Sequence, residues 1–133
     1  MDGSGTDETV LLRRSDNLII DGQYEKAISC LDEILKEQPD DEEAMAMKGL
    51  AYFLKGDIEK GVNVFENALK IDPFSKIVLI TFADAYLRSS MPDKSLEILE
   101  RAISYYPEDD GFVMLKKVIT SAIGRSQANS YFN

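Results

Sequence analysis

The chain has 133 residues, 44% of them hydrophobic and 29% charged, which is the size and composition of one globular domain. Its net charge of −9 repels nucleic acid and anionic membranes, so neither is an expected partner. It has no His and a single Cys, Cys30. That removes the commonest metal ligand, any intrachain disulfide and every Cys-rich zinc site, and argues against an enzyme.

From the N-terminus, residues 1–7 have neither a basic start nor an apolar run, so they are predicted to be a flexible segment and not a signal peptide. Helices are then predicted at 8–21, 24–37, 42–55, 58–71, 76–89 and 92–105. Gly22 and Gly56 stand where the first helix of a pair ends, a place that favours a left-handed residue. Pro39, Pro73 and Pro107 each follow a second helix and block its continuation. Pro92 suits the first turn of the sixth helix, where its missing N–H costs nothing. Residues 110–125 read as a seventh helix, because Phe112, Leu115, Ile119 and Ala122 fall on one face. The polar tail, 126–133, with Tyr131 and Phe132 near its end, is expected to be loose. The longest uncharged apolar stretch, Ile77 to Ala83, is too short to span a bilayer, so the expected compartment is the cytoplasm.

Three of the prolines are spaced at 34 residues, and the same shift brings other positions into register. Leu11, Met45 and Leu79 form a large apolar column, and Ser15, Gly49 and Ala83 a small one. Leu18, Tyr52 and Tyr86 are large, whereas Ala27, Gly61 and Ser95 are small. Leu31, Phe65 and Leu99 are large, and Ile34, Ala68 and Ala102 apolar. This pattern resembles the tetratricopeptide repeat (TPR), a helix–turn–helix unit of the same period. The middle repeat carries it best, through Gly49, Tyr52, Phe65, Ala68 and Pro73. The chain departs from the pattern where Arg14 and Lys48 fill an apolar slot.

The resemblance implies an all-α fold, a right-handed superhelical TPR solenoid of three hairpins (8–41, 42–75 and 76–109) plus the seventh helix as a cap. A full fourth repeat is excluded, because Lys117 would fall in the small column at a tight helix crossing. Lys116, Lys117 and Arg125 give the cap its polar outer face.

No pattern carries catalysis. The nucleophile elbow, the Gly-rich phosphate loop and the zinc-protease motif are all missing, and no cofactor or metal is expected. The acidic runs Asp40–Glu43 and Glu108–Asp110 follow a Pro and open a helix, where acids complement the macrodipole. Cys30 reads as a small packing residue.

In this architecture the first helices line a concave face, which solenoids use for binding. The resemblance places Leu12, Arg13, Asp16, Ile19 and Ile20 on it from the first repeat. The second repeat contributes Glu43, Ala46, Met47, Leu50, Phe53 and Leu54. The third contributes Ile77, Ile80, Thr81, Asp84, Leu87 and Arg88. The candidate site is the subset Leu12, Asp16, Met47, Leu50, Phe53, Ile77, Ile80, Thr81, Asp84 and Arg88. TPR co-chaperones clamp an acidic C-terminal peptide with Lys, Asn and Arg. The matching positions here are Leu12, Asp16, Met47, Ile77 and Thr81, so that function is not expected.

The expected function is a non-catalytic adaptor or scaffold. It binds a partner peptide or helix with an apolar segment in the groove, without membrane insertion. Two alternatives stand beside it: a small acidic TPR chaperone for secreted proteins, and a scaffold that self-associates by placing Tyr131 and Phe132 in a neighbour's groove.

Overall fold

Seven α-helices follow one another among the described residues, without a strand: α1 (Glu8–Ile20), α2 (Tyr24–Glu37), α3 (Glu42–Lys55), α4 (Ile58–Ile71), α5 (Lys76–Arg88), α6 (Pro92–Tyr105) and α7 (Asp110–Phe132). The computed structural model describes the backbone of residues 7–132 and the side chains of residues 7–127. The first six helices pair as the hairpins α1–α2, α3–α4 and α5–α6, each packed on the next, and α7 packs on α6.

Each boundary has a local cause. Asp7, placed in a flexible segment by the sequence reading, is instead the N-cap of α1, its carboxylate accepting from the Thr9 N–H at 2.8 Å. Asp41 caps α3 in the same way through the Ala44 N–H at 2.8 Å, and Ser75 caps α5 through the Val78 N–H. The turn column holds Gly22 and Gly56 at φ of 77° and 98°, and Ser90 takes the same left-handed conformation at 60°.

The small column explains the hairpin crossings. A Cβ on Gly49 would stand 2.7 Å from the Phe65 ring, and one on Gly61 would strike the Phe53 ring. Ser15 and Ser95 are fully buried, and their hydroxyls donate to the carbonyls of Leu11 and Ala83 at 2.8 Å. Cys30 is buried, and its thiol donates to the Leu11 carbonyl.

The main core joins the second and third hairpins and α7. At its centre the Phe65 ring stacks on Phe82 with centroids 4.6 Å apart, and Phe82 stacks on Tyr86 at 5.0 Å. The first hairpin is held by two smaller clusters. One gathers Leu11, Cys30, Leu31, Ile34 and Ala44, the other Ile19, Ala27, Ile28 and Ala51.

α7 buries Phe112 and Ile119 against the main core. It continues past Arg125 to Phe132, where a loose tail was expected from Ser126. After Gly124 no Pro or Gly interrupts the chain, so nothing stops helix propagation at Arg125. The side chains of Tyr131 and Phe132, on which the self-association reading rested, lie outside the described residues. Among the described residues no helix is long and apolar enough to cross a membrane.

Candidate functional site

The first helices of the three hairpins border one open cleft of about 370 Å³. α1 contributes Leu12, Arg13 and Asp16, α3 contributes Glu43, Ala46 and Met47, and α5 contributes Ile77 and Thr81. Helical spacing is the reason: residues three and four apart lie on one face, so each helix turns the same stripe toward the cleft. Leu12 and Met47 are half-buried, and Ile77 is 44% exposed.

Five of the ten expected site residues therefore meet in this cleft: Leu12, Asp16, Met47, Ile77 and Thr81. Ile80 lies beyond it. With Ile77 it lines an adjoining depression of about 440 Å³ between the starts of α5 and α7, together with Lys76, Asp109, Gly111 and Phe112. Asp84 and Arg88 line neither; they pair with each other at 2.9 Å along α5.

Phe53 requires a correction. It is 2% exposed, with its ring 5.1 Å from Tyr86 and 5.7 Å from Phe65. Leu50, one turn earlier, is half-buried against the same core. The reason lies in the stacking of hairpins. α3 and α5 run side by side, so the part of the α3 stripe carrying Leu50 and Phe53 is consumed by that contact. Ile19, one repeat earlier than Phe53, is buried too.

Charge surrounds the cleft unevenly. Glu8 stands one turn before Leu12, beside the carboxylates of Asp41 and Glu43. Its hydrogen bond with Asp41, then desolvation and the neighbouring negative charge, hold its pKa above the ordinary carboxylate value, although Gln38 opposes this with a hydrogen bond. At the adjoining depression a cation and a carboxylate are paired. The Lys76 ammonium bonds Asp109 at 3.1 Å and sits 4.5 Å over the Tyr106 ring. That bond and the Phe112 N–H hold the Asp109 carboxyl below the ordinary value. Sequence reasoning missed Lys76, Asp109 and Phe112 as lining residues. That an acidic run including Asp109 opens α7 was visible in the sequence, but the approach of Asp109 to Lys76, 33 residues earlier, was not.

The cleft offers apolar side chains, carboxylates, a guanidinium and one hydroxyl, a set suited to gripping another chain by burial and charge. Among the described residues no group of three or more acidic or Cys side chains is placed to hold a metal ion.

A family model described as "Psidin, N-terminal TPR repeats region" matches residues 17–120. No curated protein sequence matches the chain. Among solved structures, the chain is similar to one in the structure of Naa15/Naa10 bound to HypK-THB, with a TM-score of 0.69 and 24% identity over 87% of this chain. It spans 18% of that longer chain. It is also similar to the first TPR domain of human RPAP3, with a TM-score of 0.67 and 18% identity, covering 92% of this chain and 96% of that one. A mutant of MamA matches with a TM-score of 0.54 and 16% identity, covering 96% and 74%. At these identities the likenesses show a shared fold. TPR domains are in general protein-interaction modules and non-catalytic.

Proposed function

The chain belongs to the family of Psidin N-terminal TPR repeats, and from that premise we propose that it is a non-catalytic interaction module whose concave cleft binds a peptide or helix of a partner protein. The reading is carried by one observation: a single open cleft crosses the first helices of all three hairpins. Leu12, Met47 and Ile77 supply apolar contact, and Asp16, Glu43 and Arg13 set polarity along it. The partner segment is apolar, with basic residues toward the acidic α1 and α3 ends. The cytoplasm suits a chain of this charge and its single reduced thiol.

The test compares wild type with Met47→Glu and Ile77→Glu in affinity capture from host extract. Both positions border the cleft and neither is fully buried, so the variants are expected to remain folded. Partners captured by wild type and lost by both variants support the cleft. Partners retained by both place binding elsewhere. Phe53 is unsuitable for this test, because its substitution disrupts the core.

A further inference from the structure

We propose that the concave cleft continues over Ile77 into the depression between α5 and α7, and that the joined track takes an extended partner segment with two anchors: a Lys or Arg and, about four to six residues away, a bulky apolar side chain. This rests on the cleft being the binding site, and adds to it a second subsite and a recognition pattern. Ile77 is the shared element, lining both recesses at 44% exposure. On α5 it stands between two neighbouring stripes. Thr81 accompanies it on the cleft side, and Lys76 and Ile80 on the side toward α7. Across the depression, α7 supplies Gly111 and Phe112.

The depression exists because α7 stands off from α5. Among the described residues α7 packs on α6 and makes no close backbone approach to α5, whereas α5 lies alongside α3. The repeat register supplies the reason. Where α3 sets Leu50 and Phe53 against α5, α5 presents Asp84 and Leu87, one period on. Asp84 pairs with Arg88 and keeps its carboxylate 40% exposed, since burying it costs more than apolar contact returns. Leu87 stays 37% exposed. The start of α7 adds space of its own, because Gly111 falls one period after Ile77 and brings no side chain.

Charge and shape select the occupant. In the cleft Asp16 and Glu43 outnumber Arg13, and Glu8 and Asp41 stand nearby. A Lys or Arg of the partner belongs there. In the depression Lys76 and Asp109 neutralise each other at 3.1 Å, which leaves Ile77, Ile80, Gly111 and Phe112 as an uncharged wall for an apolar side chain. The two recesses lie one and a half to two helix spacings apart, roughly 12–20 Å at about 8–10 Å per spacing. An extended chain covers that in about four to six residues, at about 3.3 Å each. A helix with its side chains fills roughly 500 Å³ per turn, more than the 370 Å³ or 440 Å³ of either recess, and Ile77 parts the two. An extended chain can straddle that ridge, because its alternate side chains point to opposite sides.

The test is selection of displayed random dodecapeptides on the full chain, followed by affinity measurement with the enriched peptides. The expected peptides pair a Lys or Arg with Leu, Ile, Met or Phe about four to six residues away. Replacing that apolar residue by Ala weakens binding at least about tenfold, a measurement that needs no variant of the chain. Gly111→Leu, which fills the depression, weakens binding by a similar factor, and on that variant the Ala replacement costs nothing further. Gly111 is exposed, and the nearest atom to an added Cβ is an Asp109 carboxylate oxygen at 3.1 Å, so the fold is retained, as circular dichroism will check. Met47→Glu, in the cleft, removes binding. Peptides lost on Met47→Glu but indifferent to Gly111→Leu and to the Ala replacement overturn the inference and leave the cleft standing. Peptides that ignore Met47→Glu overturn both. Enrichment without a basic residue, or of peptides that bind as helices, overturns the inference alone. Failure to enrich any peptide does the same, and capture from extract with Met47→Glu then decides the cleft.

Discussion

Between the second and third hairpins, α3 and α5 run side by side, and the contact holds Phe53, Phe82 and Tyr86 in mutual ring contact. Between the first and second, α1 approaches α3 at few points, and the two small clusters that hold the hairpin contain no aromatic among their buried members. The same repeat column separates the two junctions. It reads Asp16, Leu50 and Asp84 along the three first helices. Leu50 can be covered by the neighbouring helix. Asp16 cannot be, since burying a lone carboxylate costs far more than apolar contact returns. The helices therefore stand apart at Asp16, and the cleft opens there. One position in the repeat thus decides whether a junction becomes core or binding surface.

The largest effects should come from breaking the tight junction. Phe53→Ala and Tyr86→Ala are each expected to lose about 3–5 kcal/mol in chemical denaturation. Gly49→Leu drives a side chain into the Phe65 ring and should reach or exceed the upper end of the usual overpacking cost of about 1–3 kcal/mol. Leu50→Asp gives the tight junction the polar character of the open one, at a cost of roughly 2 kcal/mol. The reverse exchange, Asp16→Leu, should stabilise by up to roughly 1 kcal/mol and slow amide hydrogen exchange in α1. If exchange in α1 of the wild type is already as slow as in α3 and α5, the contrast between junctions is wrong.

Smaller effects concern surface charge. Asp109, held below the ordinary carboxylate pKa by Lys76 and the Phe112 N–H, stabilises the native state fully above the unfolded-state value. That contribution is lost as pH falls through the depressed folded value. Asp109→Asn should therefore be less stable than wild type at neutral pH and converge with it in acid, as parallel melting curves will show. Lys48, in a slot that is apolar in the family pattern, pairs with Asp32 at 2.7 Å and is only partly exposed. Lys48→Met should change stability by no more than about 1 kcal/mol in either direction.

The limits of the six paired helices were legible because they depend on neighbours along the chain: Pro39, Pro73 and Pro107 after the second helices, the left-handed Gly22 and Gly56, and Pro92 in a first turn. So were the large and small columns, since a period of 34 residues exposes them whatever their partners. α7 was legible as a helix, though not its extent, because its far end carries no stop signal. The candidate site was half legible. Leu12, Met47 and Ile77 reached the cleft as their helical positions implied, while Phe53 did not, because an apolar residue on a first helix serves a groove or a junction equally well. Only the approach of α3 to α5 resolves that choice, and likewise the meeting of Lys76 with Asp109. Local pattern determines which residues share a face of a helix; how closely two helices pack determines whether that face meets water.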